Sequence, residues 1–318
     1  MAKPAVLIAR VLLPAGRELL AGVADLREGG LDSTPERLLE LAPGVQAIVA
    51  DPAVRVDAGL LDAAGDELRV VANFAVGTDN VDLDLCRERR VAVTNTPDVL
   101  TDATAELALA LTMAAARGTT PAEADLRAGR WSGWDPGAYL GLELSGATFA
   151  VVGLGRIGRR YAELVRPLAG ELLYVGRSAN PEAESELGAT RAELPDALGR
   201  ADVVSLHVPA GEETKHLIGA AELELMQRHA VLVNTARGAI VDSQALAAAL
   251  GHGVIGGAGL DVYEAEPGVP QGLLDAPNIT LLPHIGSATR TARDGMARTA
   301  ARNVLAVLEG AEPPNRVA

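Results

Sequence analysis

The chain has 318 residues, of which 48% are hydrophobic, 3% aromatic and 22% charged, and its formal net charge is −14. That length exceeds one ordinary core and predicts two domains. The acidic balance argues against nucleic-acid binding, which leans on Lys and Arg contacts to phosphate. A single cysteine, Cys86, rules out an internal disulfide and fits a reducing cytoplasm.

Residues 1–98 alternate short apolar runs with helical patterns. Ala5–Ala9, Ala47–Ala50, Val70–Phe74 and Val91–Thr94 read as strands. Arg10 breaks the first apolar run, which is too short for a signal sequence. No run approaches the roughly 20 apolar residues of a membrane span, so no membrane partner is expected. Ser33-Thr-Pro-Glu36 predicts a helix start with a capping box, and Thr120-Pro-Ala-Glu123 predicts another. Between them, Thr101–Arg117 is a helix apolar nearly all round, expected to be buried between domains or subunits. A turn-rich stretch, Trp131-Ser-Gly-Trp134, holds both tryptophans. From 147 to 286, strand runs recur at Thr148–Val152, Glu171–Val175, Asp202–Val208, Ala230–Thr235, Gly257–Val262 and Ile279–Leu282, and 287–310 reads as one long helix. Strands separated by helical stretches predict βαβ units and parallel sheets.

Gly153-Leu-Gly155-Arg-Ile-Gly158 follows a strand and opens a helix, the context in which a glycine fingerprint is credible for a dinucleotide. Gly153 permits the turn, Gly155 admits the pyrophosphate, and Gly158 lets helix and strand pack closely. The N–H groups near Arg156 and Ile157 then face the phosphates. An NAD site usually carries an acid at the tip of the next strand, for the ribose 2′-OH. Here that strand ends Tyr174-Val-Gly-Arg177-Ser178. Arg177 and Ser178 suit a 2′-phosphate, so NADP(H) is expected in preference to NAD(H). The competing reading is a surface Arg beside a permissive NAD site.

Three further residues stand just past strand ends: Arg237, Glu266 and His284. In open α/β sheets ligands bind outside the carboxyl ends of strands. Reducing a 2-keto acid needs a hydride on carbon and a proton on oxygen. His can supply that proton near neutrality, a carboxylate beside it favours the imidazolium, and Arg can hold carboxylate and ketone oxygens together. His207 ends its strand and is expected at the adenine side of the crevice. His216, His229 and His252 read as surface residues.

Asn234-Thr-Ala-Arg-Gly-Ala-Ile-Val-Asp242, Gly259-Leu-Asp-Val-Tyr-Glu-Ala-Glu-Pro267 and Pro283-His-Ile-Gly-Ser-Ala-Thr289 resemble the three signatures of the D-isomer-specific 2-hydroxyacid dehydrogenases. Ala75-Val-Gly-Thr-Asp-Asn-Val-Asp82 and the stretch Thr94–Glu106 match as well, so the resemblance covers essentially the whole chain. Within the family the chain is most similar to glyoxylate/hydroxypyruvate reductases. The resemblance implies that Arg237 orients substrate, that His284 gives the proton and that Glu266 is its partner, Glu264 being the nearby alternative. It places backbone N–H groups of Val76 and Gly77 on the substrate carboxylate, and Leu100 on the pocket wall. Thr104, Val208, Pro209, Thr214, Thr235, Ala236 and Asp261 join the glycine loop around the cofactor, and no metal is implied. Trp134 would reach the neighbouring subunit's pocket in a homodimer. Thr78 departs from many relatives and leaves the substrate open.

The implied fold is two Rossmann-like or flavodoxin-like α/β parallel-sheet domains with a cleft between them. Residues 1–98 plus 287–318 would bind substrate, and 99–286 the dinucleotide. Alternative substrates are 3-phosphoglycerate, 2-ketogluconate and bulkier 2-keto acids. No basic residue lies in Phe74–Asp82, which disfavours a phosphorylated one. The alternative class is a non-enzymatic nucleotide-sensing module like the family's corepressors.

Overall fold

The computed structural model describes residues 3–318. The chain is α/β and divides into two compact units. One comprises the residues up to Leu100 together with Ser287–Ala318, and the other Thr101–Gly286.

The first unit holds five strands: β1 (Ala5–Ile8), β2 (Asp25–Glu28), β3 (Ala47–Ala50), β4 (Val70–Asn73) and β5 (Ala92–Thr94). They form one parallel sheet in the order β2-β1-β3-β4-β5. β1, β3 and β4 are almost wholly buried because helices cover both faces. The helices Pro14–Ala21 and Arg290–Leu308 pack on one another, and the latter also lies against β3 and β4.

The second unit holds β6 (Ala147–Val152), β7 (Ala169–Val175), β8 (Thr190–Arg191), β9 (Val203–Leu206), β10 (Val231–Asn234), β11 (Gly257–Leu260) and β12 (Ile279–Leu281). Their order is β12-β11-β10-β9-β6-β7-β8, all parallel. The order reverses between β6 and β9, the switch point at which doubly wound sheets bind dinucleotides. Phe149, Val151, Tyr161, Leu172, Val203 and Val233 pack on one face of this sheet, and Val152, Leu206, Leu232 and Leu260 on the other. The helix Thr101–Arg117 lies on the first of these faces. Ala105, Ala108, Leu111 and Ala115 point inward, and Gly259 admits it so closely that a Cβ there would sit 2.9 Å from Leu111. Its opposite side, with Ala110 and Met113, is exposed.

Several expectations need correction. Neither capping box forms. Thr34, not Ser33, caps its helix by accepting the N–H of Arg37, which puts Arg rather than Glu three residues on. Gly118 in the left-handed region starts the next helix, and the Thr120 hydroxyl meets that of Thr280. The last helix is Arg290–Leu308, shorter at both ends than 287–310: Thr289 caps its start, and Gly310 with φ +83° follows its end. β2 and β8 escaped the sequence. β2 has no fully buried residue and β8 is an exposed two-residue edge, so neither shows an apolar run.

Candidate active site

The glycine loop follows β6. Gly153 has φ +95°, and a Cβ on it would lie 2.7 Å from the Val208 side chain. A Cβ on Gly158 would lie 2.0 Å from Gly153 O, so the helix Arg156–Val165 rests on the loop backbone. At Gly155 a Cβ would meet nothing within 4 Å. The cradle is therefore tight beneath and open above. The first N–H groups of the helix, at Arg156 and Ile157, have no intrahelical acceptors. Thr104 is buried, and its side chain lies beside the point where a Cβ of Gly286 would sit.

The ring of His207 turns inward from the end of β9. It lies tilted against Tyr161 with the ring centroids 5.1 Å apart, and its Nε2 pairs with Ser205 Oγ at 2.9 Å. Burial pushes its pKa down to about 3, so it is a neutral support beneath the glycine loop. Its side chain is thus not free for the adenine contact that the sequence led us to expect. Val208 and the exposed Pro209 follow, and Thr214 Oγ1 donates to Pro209 O at 2.8 Å and closes their turn.

At the tip of β7, Arg177 and Ser178 are exposed. A second guanidinium, which sequence reasoning missed, joins them. Arg191 of β8 donates through Nε to Gly176 O at 3.2 Å. Tyr174 shapes the loop, since its hydroxyl accepts the Asn180 N–H at 2.7 Å and donates to Glu184 at 2.5 Å.

Arg237 follows β10 on a turn built by Asn234. The buried Asn234 amide donates to Arg237 O at 2.8 Å and accepts the Ala236 N–H at 3.0 Å. Gly238 then touches the backbone of Tyr263, where a Cβ would clash at 1.9 Å. This approach brings the Arg237 loop to the end of β11. Thr235 Oγ1 is buried with no hydrogen-bond partner among the described residues, a polar atom that a bound cofactor could engage.

Past β11 and β12 the pair forms. His284 Nδ1 lies 2.7 Å from Glu266 Oε2, and Glu266 Oε1 accepts the Tyr263 N–H at 3.0 Å. Burial pushes the Glu266 carboxyl upward. The His284 and Tyr263 hydrogen bonds and the nearby Arg237 charge outweigh it, so the net shift is down. Glu264 is committed elsewhere, at 2.6 Å from His216 Nε2 and 3.2 Å from the Ser243 N–H.

His284 has φ +55°, an uncommon conformation for a residue with a Cβ. Asp261 holds it there. Its two oxygens accept the N–H groups of Ile285 and Gly286, each at 2.7 Å. Burial raises the Asp261 carboxyl above its ordinary value, against those two bonds.

In the first unit, Val76 and Gly77 lie partly exposed on the loop after β4, and Leu100 is buried at that unit's end. In the second unit Trp134 is 85% exposed. Arg237, Glu266, His284 and the residues expected to hold the cofactor thus all belong to one unit. Among the described residues no group of three or more His, Cys, Asp or Glu could hold a metal ion, and no helix is long and apolar enough to cross a membrane.

A dinucleotide cradle at the switch point, with a His–Glu pair and an Arg at neighbouring strand ends, defines a dinucleotide-dependent oxidoreductase. The family model described as "D-isomer specific 2-hydroxyacid dehydrogenase, NAD binding domain" matches residues 109–286. A glyoxylate reductase of Thermococcus litoralis is 43% identical over 321 residues, 99% of this chain and 97% of the relative. A protein of Thermus thermophilus has a similar solved structure, with TM-score 0.92 at 42% identity, covering 99% of this chain and 100% of that one. An NADPH-dependent glyoxylate/hydroxypyruvate reductase of Sinorhizobium meliloti, solved with NADP and malonate, gives TM-score 0.87 at 34% identity, covering 100% and 97%. The chain belongs to the D-isomer-specific 2-hydroxyacid dehydrogenases, enzymes that use NAD(P).

Proposed function

We propose that this enzyme reduces glyoxylate and hydroxypyruvate to the D-2-hydroxy acid, with NADPH preferred over NADH. The observation that carries the reading is the His284–Glu266 pair beside Arg237. Glu266 engages Nδ1, so Nε2 is the nitrogen left for the substrate oxygen. His284 gives its proton there as that oxygen gains charge, and Glu266 stabilises the orientation and charge of the ring. Arg237 and the N–H groups of Val76 and Gly77 hold the carboxylate. Bound NADPH supplies the hydride. The unit ending at Gly286 holds the cofactor, and the other binds the carboxylate.

The names of the relatives support the substrate class. The NADPH preference rests on the tip of β7, where Arg177, Ser178 and Arg191 stand and the motif's acid is missing. The exposed apolar residues Leu126, Trp131, Trp134 and Leu140 support a homodimer in which Trp134 enters the partner's pocket. A cytoplasmic location fits the lone buried Cys86.

The test is kcat/KM for glyoxylate and hydroxypyruvate with each cofactor. NADPH should exceed NADH by about tenfold or more, the weight of one charge-assisted contact. His284→Ala should lower kcat by about 10² to 10⁴. Cofactor binding without turnover of any 2-keto acid would favour a nucleotide-sensing module instead.

A further inference from the structure

The loop after β4 has three consecutive carbonyls tied into its own unit. Ala75 O accepts the Thr96 N–H at 2.8 Å. Val76 O accepts Asn95 Nδ2 at 2.8 Å, and Gly77 O accepts Asn73 Nδ2 at 2.8 Å. In a trans peptide the carbonyl and the N–H of one plane point in opposite directions. Fixing these carbonyls therefore turns the N–H groups of Val76, Gly77 and Thr78 the other way. None of the three donates to an acceptor among the described residues. Three partly exposed N–H groups in succession, with their peptide planes held from behind, form a preorganised donor set for an anion.

The anchors are themselves held. Asn73 is fully buried and exchanges two 3.0 Å hydrogen bonds with Asn80, whose Nδ2 also reaches Asp51 O and Val54 O. The backbone of Asn95 is fixed at both ends: its N–H donates to Asn315 O at 3.2 Å, and its carbonyl accepts Asn303 Nδ2 at 3.1 Å. Its side chain makes one hydrogen bond, to Val76 O. The Val76–Gly77 plane, and with it the Gly77 N–H, is thus set by one side chain that can be changed without touching the main-chain links.

We propose that Asn95 is a positioning residue for the substrate carboxylate, acting through the Gly77 N–H. Asn73 acts likewise on the Thr78 N–H, which joins Val76 and Gly77 as a third donor. The inference rests on the reading that this loop binds the carboxylate. It adds the device that gives the loop its affinity.

The experiment is steady-state kinetics on the full-length protein with Asn95→Asp and Asn95→Ala. Asn95→Asp keeps size and shape but removes the donor and adds a negative charge, so the uncharged Asn95→Ala must raise the same KM for the inference to hold. Both should raise KM for glyoxylate about tenfold or more, as one charge-assisted hydrogen bond loses its alignment. Since the contact exists in both ground and transition states, kcat should stay within about threefold. KM for NADPH should stay within about twofold, because the change lies outside the cofactor's unit. A merely structural role would not single out one KM. If the parent reduces glyoxylate and Asn95→Asp leaves that KM unchanged, the inference falls and the site reading stands. If the parent reduces no 2-keto acid, both fall.

Discussion

At the residue scale, the site turns on two glutamates two positions apart with different fates. Glu264 is drawn to His216 and the Ser243 N–H, and Glu266 to His284 and the Tyr263 N–H. Both carboxyls lie below their ordinary value despite the burial that opposes this. A carboxyl depressed in the folded chain contributes stability that is in place above its unfolded value. The contribution is lost as pH falls through the folded one. For Glu266 that window lies below its ordinary value of 4.5. Glu266→Gln cannot titrate, so the excess melting temperature of the parent over the variant at about pH 5 should shrink on further acidification. A gap that widens below about pH 4 would contradict the pairing. The motif Glu-Ala-Glu-Pro already set Glu266 apart, because one of its acids stands immediately before Pro267. Asp261 was legible only as a cofactor neighbour. Its grip on the backbone at Ile285 and Gly286 depends on β11 and β12 being adjacent, which no local pattern states.

At the element scale, Arg237, Glu266 and His284 follow the carboxyl ends of the parallel strands β10, β11 and β12, and the apolar runs showed where those ends lie. The runs of β3, β4 and β10 were legible because burial on both faces demands continuous Val, Ile, Leu and Ala. β8 has no such demand, so Arg191 went unnoticed although it lies beside the tip of β7. The glycine loop and this tip should fail in different ways. In Gly158→Ala the new Cβ presses on Gly153 O, backbone that cannot swing aside. The strain should cost about 1–3 kcal/mol and raise KM for both cofactors alike. Arg177→Ser removes a charge from an exposed loop, so melting should hold and only KM for NADPH should rise. Equal loss of NADPH and NADH in Arg177→Ser would remove the basis for the preference.

At the scale of the whole molecule, the stretch from Leu126 to Leu140 is the least explained by the monomer. It carries Trp131, Trp134, Tyr139 and Leu140, all large, apolar and at least 49% exposed, in a chain with only two tryptophans. Isolated exposed apolar residues are ordinary, but a cluster of them in one segment marks an interaction surface. A second copy is the partner that symmetry favours, since an isologous pair would give each subunit the other's Trp134. That arrangement has a signature that mutation of one chain cannot produce. Trp134→Ala and His284→Ala homodimers should each be impaired, the second nearly inactive. After subunits are mixed in equal amounts and allowed to exchange, half the dimers should be mixed. In each mixed dimer one site combines an intact His284 with the partner's intact Trp134, and the other site lacks both. Activity should therefore recover to about a quarter of the parent's, measured per total subunit. If Trp134 serves its own subunit, every mixed dimer keeps only sites that were already impaired. Glyoxylate reduction would then equal the average of the two variants, with no recovery on exchange.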